Sequence, residues 1–171
     1  MMKTKIVLDA DVIIHFYKGG CLTLLPKIFP TYQYIVLSHV YQEIKGELKN
    51  QLSNQIYLLK DIQLVEFAPR GDMLREYALL QNKNLGKGES ACMAYCKYNH
   101  DVLGSSNLTD ITDYCQANDI VYLTTIDFLY FAIKKNLMSI DEAHTFVKQV
   151  QDKDSHLPTI DFNTFVCDKL I

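Results

Sequence analysis

The chain has no tryptophan, only four prolines and seven glycines in 171 residues, and no surplus of positive charge. The prolines (Pro26, Pro30, Pro69, Pro158) are too dispersed to mark a hinge, and no internal repeat or Ser/Gly-rich linker divides the chain, so one domain over 1–171 is expected. Seventeen Lys plus Arg against twenty Asp plus Glu leave a net charge of −3, which argues against a protein that grips nucleic acid through a broad basic face. The five cysteines are odd in number and lack CxxC spacing, which excludes a zinc ribbon or a redox pair of the usual kind. Cys92 and Cys96 lie four apart and could share a helical face, but buried thiols are the expected reading. No run approaches the roughly 18 apolar residues of a membrane span, and the N-terminus turns polar at Asp9 before a signal core forms. No membrane association and a cytoplasmic location are therefore expected.

What the sequence does hold is 49% hydrophobic residues with eleven Tyr and eight Phe, enough for a substantial core. Short apolar runs at Lys5–Leu8, Tyr34–Leu37, Gln63–Phe67, Val102–Gly104 and Ile120–Leu123 read as buried strands. Helical patterns fall between and after them: Ala10–Lys18, Leu22–Phe29, His39–Leu59, Asp72–Gln81, Gly88–Asn99, Thr109–Ala117, Thr125–Lys135 and Ser139–Gln151. Continuous apolar strands alternating with helices predict an α/β fold, a parallel sheet of about five strands covered on both faces. Residues 124–171 read as a helical extension and tail packed on the same domain, with apolar stripes suited to core packing or a homodimer surface.

In such a sheet the strand ends that lead into helices share one edge, and ligands bind there. Asp9 follows the first strand. Ser38, a plausible N-cap, opens the helix that carries Glu43. Glu89 sits in the first turn of a glycine-marked helix entry, Gly86-Lys87-Gly88-Glu89. The fourth strand runs into Ser105-Ser106-Asn107-Leu108-Thr109-Asp110. Four carboxylates so placed repel one another unless something positive neutralises them, and Mg²⁺ or Mn²⁺, which prefer oxygen ligands and retain water, would do so. Asp11 is expected to cap its helix rather than bind metal, Asp127 to be an exposed or capping acid, and Asp113 and Asp119 to lie on the surface. The five histidines show no HExxH spacing.

These residues, in this order, resemble the PIN domains, small metal-dependent nucleases found in ribonuclease toxins and RNA-processing enzymes. The resemblance runs from Lys5 to about Leu123. Asp9 in VLDADVII matches the family's first acid, Glu43 in SHVYQEI the second, and Glu89 in GKGESACMAY the third. Ser105-x-Asn107-x-x-Asp110 resembles the variant common in VapC-type members. The resemblance implies a three-layer PIN-like sandwich and a metal-dependent nuclease, expected to be an endoribonuclease, with Asp9, Glu43, Glu89 and Asp110 as catalytic acids. Of these, Asp9, Glu89 and Asp110 would hold a single Mg²⁺ or Mn²⁺. Ser105 would orient a carboxylate or phosphate, Asn107 would make a polar contact behind the metal ligands, and Lys87 could meet a substrate phosphate. RNA is the implied substrate, and a toxin–antitoxin setting would add an antitoxin or other protein partner. Some PIN domains carry Asp where Asn107 stands, so a catalytically dormant binding module is the rival expectation. The Asp9-Ala10-Asp11 pattern also suggests a haloacid dehalogenase-type phosphatase, but no lysine is placed for that chemistry.

Overall fold

A computed structural model describes residues 3–171. Five strands, β1 (Lys5–Leu8), β2 (Gln33–Leu37), β3 (Ile62–Val65), β4 (Val102–Gly104) and β5 (Tyr122–Leu123), form one all-parallel sheet in the order β3-β2-β1-β4-β5. The helices flank it: α1 (Ala10–Lys18), α2 (Leu25–Ile28), α3 (Ser38–Glu43), α4 (Gly46–Ser53), α5 (Gly71–Gln81), α6 (Lys87–Asn99), α7 (Leu108–Ala117), α8 (Thr125–Lys134) and α9 (Ile140–Asp152). The predicted α/β class and five-stranded parallel sheet are therefore observed, as a sheet sandwiched between helices. Both faces of β1 are covered, and Ile6, Val7 and Leu8 are all fully buried, which is why this strand reads as an unbroken apolar run.

Most predicted boundaries hold to within a residue or two; two helical segments and one cap do not. The stretch His39–Leu59 is not one helix: α3 ends at Glu43, Gly46 turns the chain at φ 62°, and α4 passes into a π-helical turn at Asn54–Leu59. Ile44, Leu48, Leu52 and Ile56 are all buried at a constant spacing of four, so the apolar pattern crosses the break undisturbed. The segment Leu22–Phe29 keeps only the four helical residues of α2, which begin at Leu25 with Pro26 in the first turn, where its missing N–H costs nothing. Ser38 is not an N-cap: it lies inside α3, and its hydroxyl accepts from the Phe67 N–H at 3.0 Å, tying the ends of β2 and β3 together.

Residues after β5 dock on the same core. Phe16 of α1 meets Phe128 of α8 and Phe146 of α9 edge-on, with ring centroids 6.1 and 5.1 Å apart. Each of these two helices starts with a reciprocal capping box, Thr124 with Asp127 and Ser139 with Glu142, worth about 1 kcal/mol apiece. Asp127 is thus the capping acid that was expected, though it is buried rather than exposed. Among the described residues no helix is long and apolar enough to cross a membrane. Cys92, Cys96 and Cys115 are free and buried, and burial pushes the Cys92 and Cys96 thiols well up, so neither is poised as a ligand.

Candidate functional site

The strand order sets where a site can form. From β1 the chain builds outward through β2 to β3, then returns to add β4 and β5 on the other side. The connections leaving β1 and β4 therefore part in opposite directions, and a crevice opens beyond their C-terminal ends. Asp9 and Asp11 follow β1; Ser105, Ser106 and Asn107 follow β4. The Asp9 N–H donates to the Gly104 carbonyl at 2.8 Å, pinning the two exits side by side.

Asp9 caps α1, its Oδ1 accepting from the Ala10 N–H at 2.8 Å, which leaves Oδ2 facing Ser105 Oγ at 3.3 Å. Asp11 was expected merely to cap; instead its Oδ2 reaches across the crevice and accepts from the Ser106 N–H at 2.7 Å, with Ser105 Oγ 3.5 Å away. Its Oδ1 accepts from the Val12 N–H at 2.6 Å. Glu89 and Asp110 are joined by the Asn107 amide, whose Nδ2 donates to Glu89 Oε1 at 2.9 Å and to Asp110 Oδ2 at 2.7 Å. Glu43 reaches the same helix entry as Glu89: its Oε1 accepts from the Gly88 N–H at 2.8 Å. A Cβ at Gly88 would lie 2.7 Å from Glu43 Oε2, so any larger residue there displaces that carboxylate.

Ser105 and Asn107 thus both hydrogen-bond to acids of the site. Lys87 is exposed and makes no ion pair among the described residues, and His39 packs edge-on against Phe67 and Tyr77 at 5.1 and 5.7 Å. Behind Asp11 runs a largely buried polar chain that sequence reasoning missed. Ser106 Oγ lies 2.9 Å from Thr125 Oγ1 and accepts from the Thr125 N–H at 2.8 Å, and Thr125 Oγ1 lies 2.8 Å from His15 Nδ1. Burial, with Lys18 nearby, pushes the His15 ring down to about 4, so it is neutral at pH 7. His15 sits one helical turn after Asp11, and that spacing is the only trace of the chain in the sequence.

The electrostatics are those of crowded acids. Burial raises the Asp9 carboxyl well above the usual carboxylate range, and Asp11, Glu89 and Glu43 raise it further. Burial also raises Asp11, against the donors from Ser106 and Val12. Glu89 is pushed up to about 7, first by burial and then by Asp110, while Asn107 opposes the shift. The ion pairs among the described residues, Lys5–Asp101, Arg75–Asp72, Lys97–Glu76 and Lys169–Asp168, leave all these acids out. No three His, Cys, Asp or Glu side chains among the described residues are already gathered round one point; the acids are linked in pairs through Ser105 and Asn107.

Fold and site together define an α/β protein with several carboxylates gathered at the switch point of a parallel sheet. No protein-family model matches the chain, and no curated protein matches its sequence.

Proposed function

We propose that this chain is a PIN-like, Mg²⁺- or Mn²⁺-dependent nuclease that hydrolyses phosphodiester bonds, with RNA as the favoured substrate and the cytoplasm as its setting. One observation carries the reading: Asp9, Asp11, Glu43, Glu89 and Asp110 lie around one crevice with no lysine or arginine among their partners. Asp9 is buried and Asp11, Glu89 and Asp110 are half-buried, so crowding these carboxylates carries a cost that a hard divalent cation relieves through oxygen ligands. The donor set fits such an ion: carboxylates with hydroxyl and amide neighbours, and no soft thiolate or imidazole. Asp9, Glu89 and Asp110 are the residues to hold it.

When bound, the ion lowers the pKa of water and steadies charge on the phosphoryl oxygens. The chain's own groups supply the frame. Ser105 keeps the Asp9 and Asp11 carboxylates at a fixed separation, Asn107 keeps Glu89 beside Asp110, and the Gly88 N–H aims Glu43 at the same helix entry.

The test is cleavage of single-stranded RNA by the purified protein with Mn²⁺. Cleavage in the wild type and none in Asp9→Asn is expected; equal background in both ends the enzymatic reading. The rival, a dormant PIN-like binding module, is favoured by Asn107, whose amide already bridges the Glu89–Asp110 pair from the position where a further carboxylate would otherwise stand. Calorimetry separates the two, because a dormant module takes up no Mn²⁺.

A further inference from the structure

Beside the carboxylate crevice lies a second concavity, a groove of about 460 Å³ between the exits of β4 and β5 and the tail that follows α9. That volume lies within the range of ligand sites, about 300–1,000 Å³. The tail supplies apolar wall, with Leu157, Phe165 and Val166; β5 supplies Tyr122. Phe165 is held edge-on by Tyr130 and Phe162, with ring centroids 5.8 and 6.4 Å away, so an aromatic surface is fixed in place before any ligand arrives.

Two features say what the groove suits. Ser106 lines it, and the same residue's N–H donates to Asp11 Oδ2 at 2.7 Å, so groove and crevice share a wall one residue thick. Among the described residues Lys169 is the only lysine or arginine in the lining; its Nζ stands 4.0 Å over the Tyr122 ring and 3.7 Å from Asp168, an exposed carboxylate that a phosphate can displace. The other acid of the lining, Asp127, is taken up by the Thr124 N–H and hydroxyl. A flat, partly apolar group tethered to an anion matches that combination. An amphipathic helix instead lays several successive anchors along an extended trough, more than one cavity of this size accepts.

We infer that this groove is a nucleobase subsite, taking the base and sugar of the nucleotide next to the phosphate at the carboxylates, with Lys169 meeting that nucleotide's own phosphate. The link to the carboxylates rests on the nuclease reading; the binding of a nucleotide does not.

The experiment is calorimetric titration of the full chain with AMP, UMP and ribose 5-phosphate, comparing wild type with Val166→Asp and Lys169→Gln. Val166 is 72% exposed, so its substitution leaves the core intact. A mononucleotide binds, the base-free sugar phosphate binds at least about tenfold more weakly, the scale of one lost stacking contact, and Val166→Asp weakens the nucleotide by about tenfold because a carboxylate replaces apolar wall and repels the phosphate. Lys169→Gln weakens it too and flattens its salt dependence. Binding of ribose 5-phosphate as tight as that of the nucleotides overturns the inference, as does no nucleotide binding or an unchanged affinity in Val166→Asp. Self-association of the wild type that Val166→Asp abolishes assigns the groove to a second copy and overturns it equally. RNA cleavage measured in parallel keeps the two readings apart: nucleotide binding without cleavage removes the nuclease and leaves the groove, and cleavage without nucleotide binding does the reverse.

Discussion

Gly88→Ala isolates the placement of one carboxylate from the stability of the fold. The new Cβ would stand 2.7 Å from Glu43 Oε2 and 3.1 Å from both Glu43 Cδ and Val40 Cγ2. Val40 is fully buried in α3 and has little room to yield, whereas the Glu43 carboxylate is the free end of an exposed side chain and moves instead. The move breaks its bond from the Gly88 N–H, worth about 1.5–3 kcal/mol for a charged acceptor and towards the low end where water replaces it. Alanine returns about 0.5–1 kcal/mol over glycine within a helix. The net loss is about 1 kcal/mol, a fall in Tm of about 2–4 °C for a chain of this size. The rate should suffer far more, by about 100-fold, because an acid displaced by about 1 Å no longer meets its partners. Thermal melts and Mn²⁺-dependent RNA cleavage on one preparation read both quantities. Cleavage at the wild-type rate refutes the placement of Glu43 in the site, and a Tm loss beyond about 10 °C shows that Gly88 serves helix packing instead.

Three further outcomes follow from the same geometry. Glu89 holds its proton more tightly folded than unfolded, so the stability it contributes is complete below its ordinary value of 4.5 and is lost as pH rises through about 7. Asp9 and Asp11 act in the same direction; the metal-free protein should melt higher at pH 5 than at pH 8, with Mn²⁺ narrowing the gap, and a flat profile contradicts the crowding of these acids. Asn107→Asp removes the donors to Glu89 and Asp110 and adds a third negative group, so Tm without metal should drop by several degrees and recover on adding Mn²⁺; a drop that Mn²⁺ leaves untouched counts against a cation there. Thr125→Val takes the hydroxyl from between His15 and Ser106, costing about 1–3 kcal/mol and weakening Mn²⁺ binding by loosening the loop that faces Asp11. Thr125→Ser should restore both in calorimetry, and a serine variant as weak as the valine one shows that packing, not the hydroxyl, is what matters.

The sheet was legible because its central strands β1, β2 and β4 are buried on both faces and so appear as apolar runs; periodicity and the residues after each run were enough to place four acids at one edge. What escaped has identifiable causes. The break after Glu43 was hidden because Ile44, Leu48, Leu52 and Ile56 keep helical spacing across it, and only the backbone at Gly46 reveals the turn. Asp9 and Asp11 both had the chemistry of caps, and which one reaches across the crevice depends on where the β4 exit lies, a tertiary fact. Thr125 and His15 are 110 residues apart, and nothing in a linear pattern connects a hydroxyl to a ring over that distance.

The order of the strands also sets a timetable. Ser105 meets Asp9 across 96 residues of sequence, because β4 inserts beside β1 only after β2 and β3 have been laid down on its other side. A nascent chain, emerging at about 5–20 residues per second, carries Asp9 and Glu43 for several seconds before Glu89, Asn107 and Asp110 exist to join them. Throughout that interval the growing polypeptide holds isolated acids, and the cluster they form, whatever its chemistry, is assembled only when β4 has closed against β1.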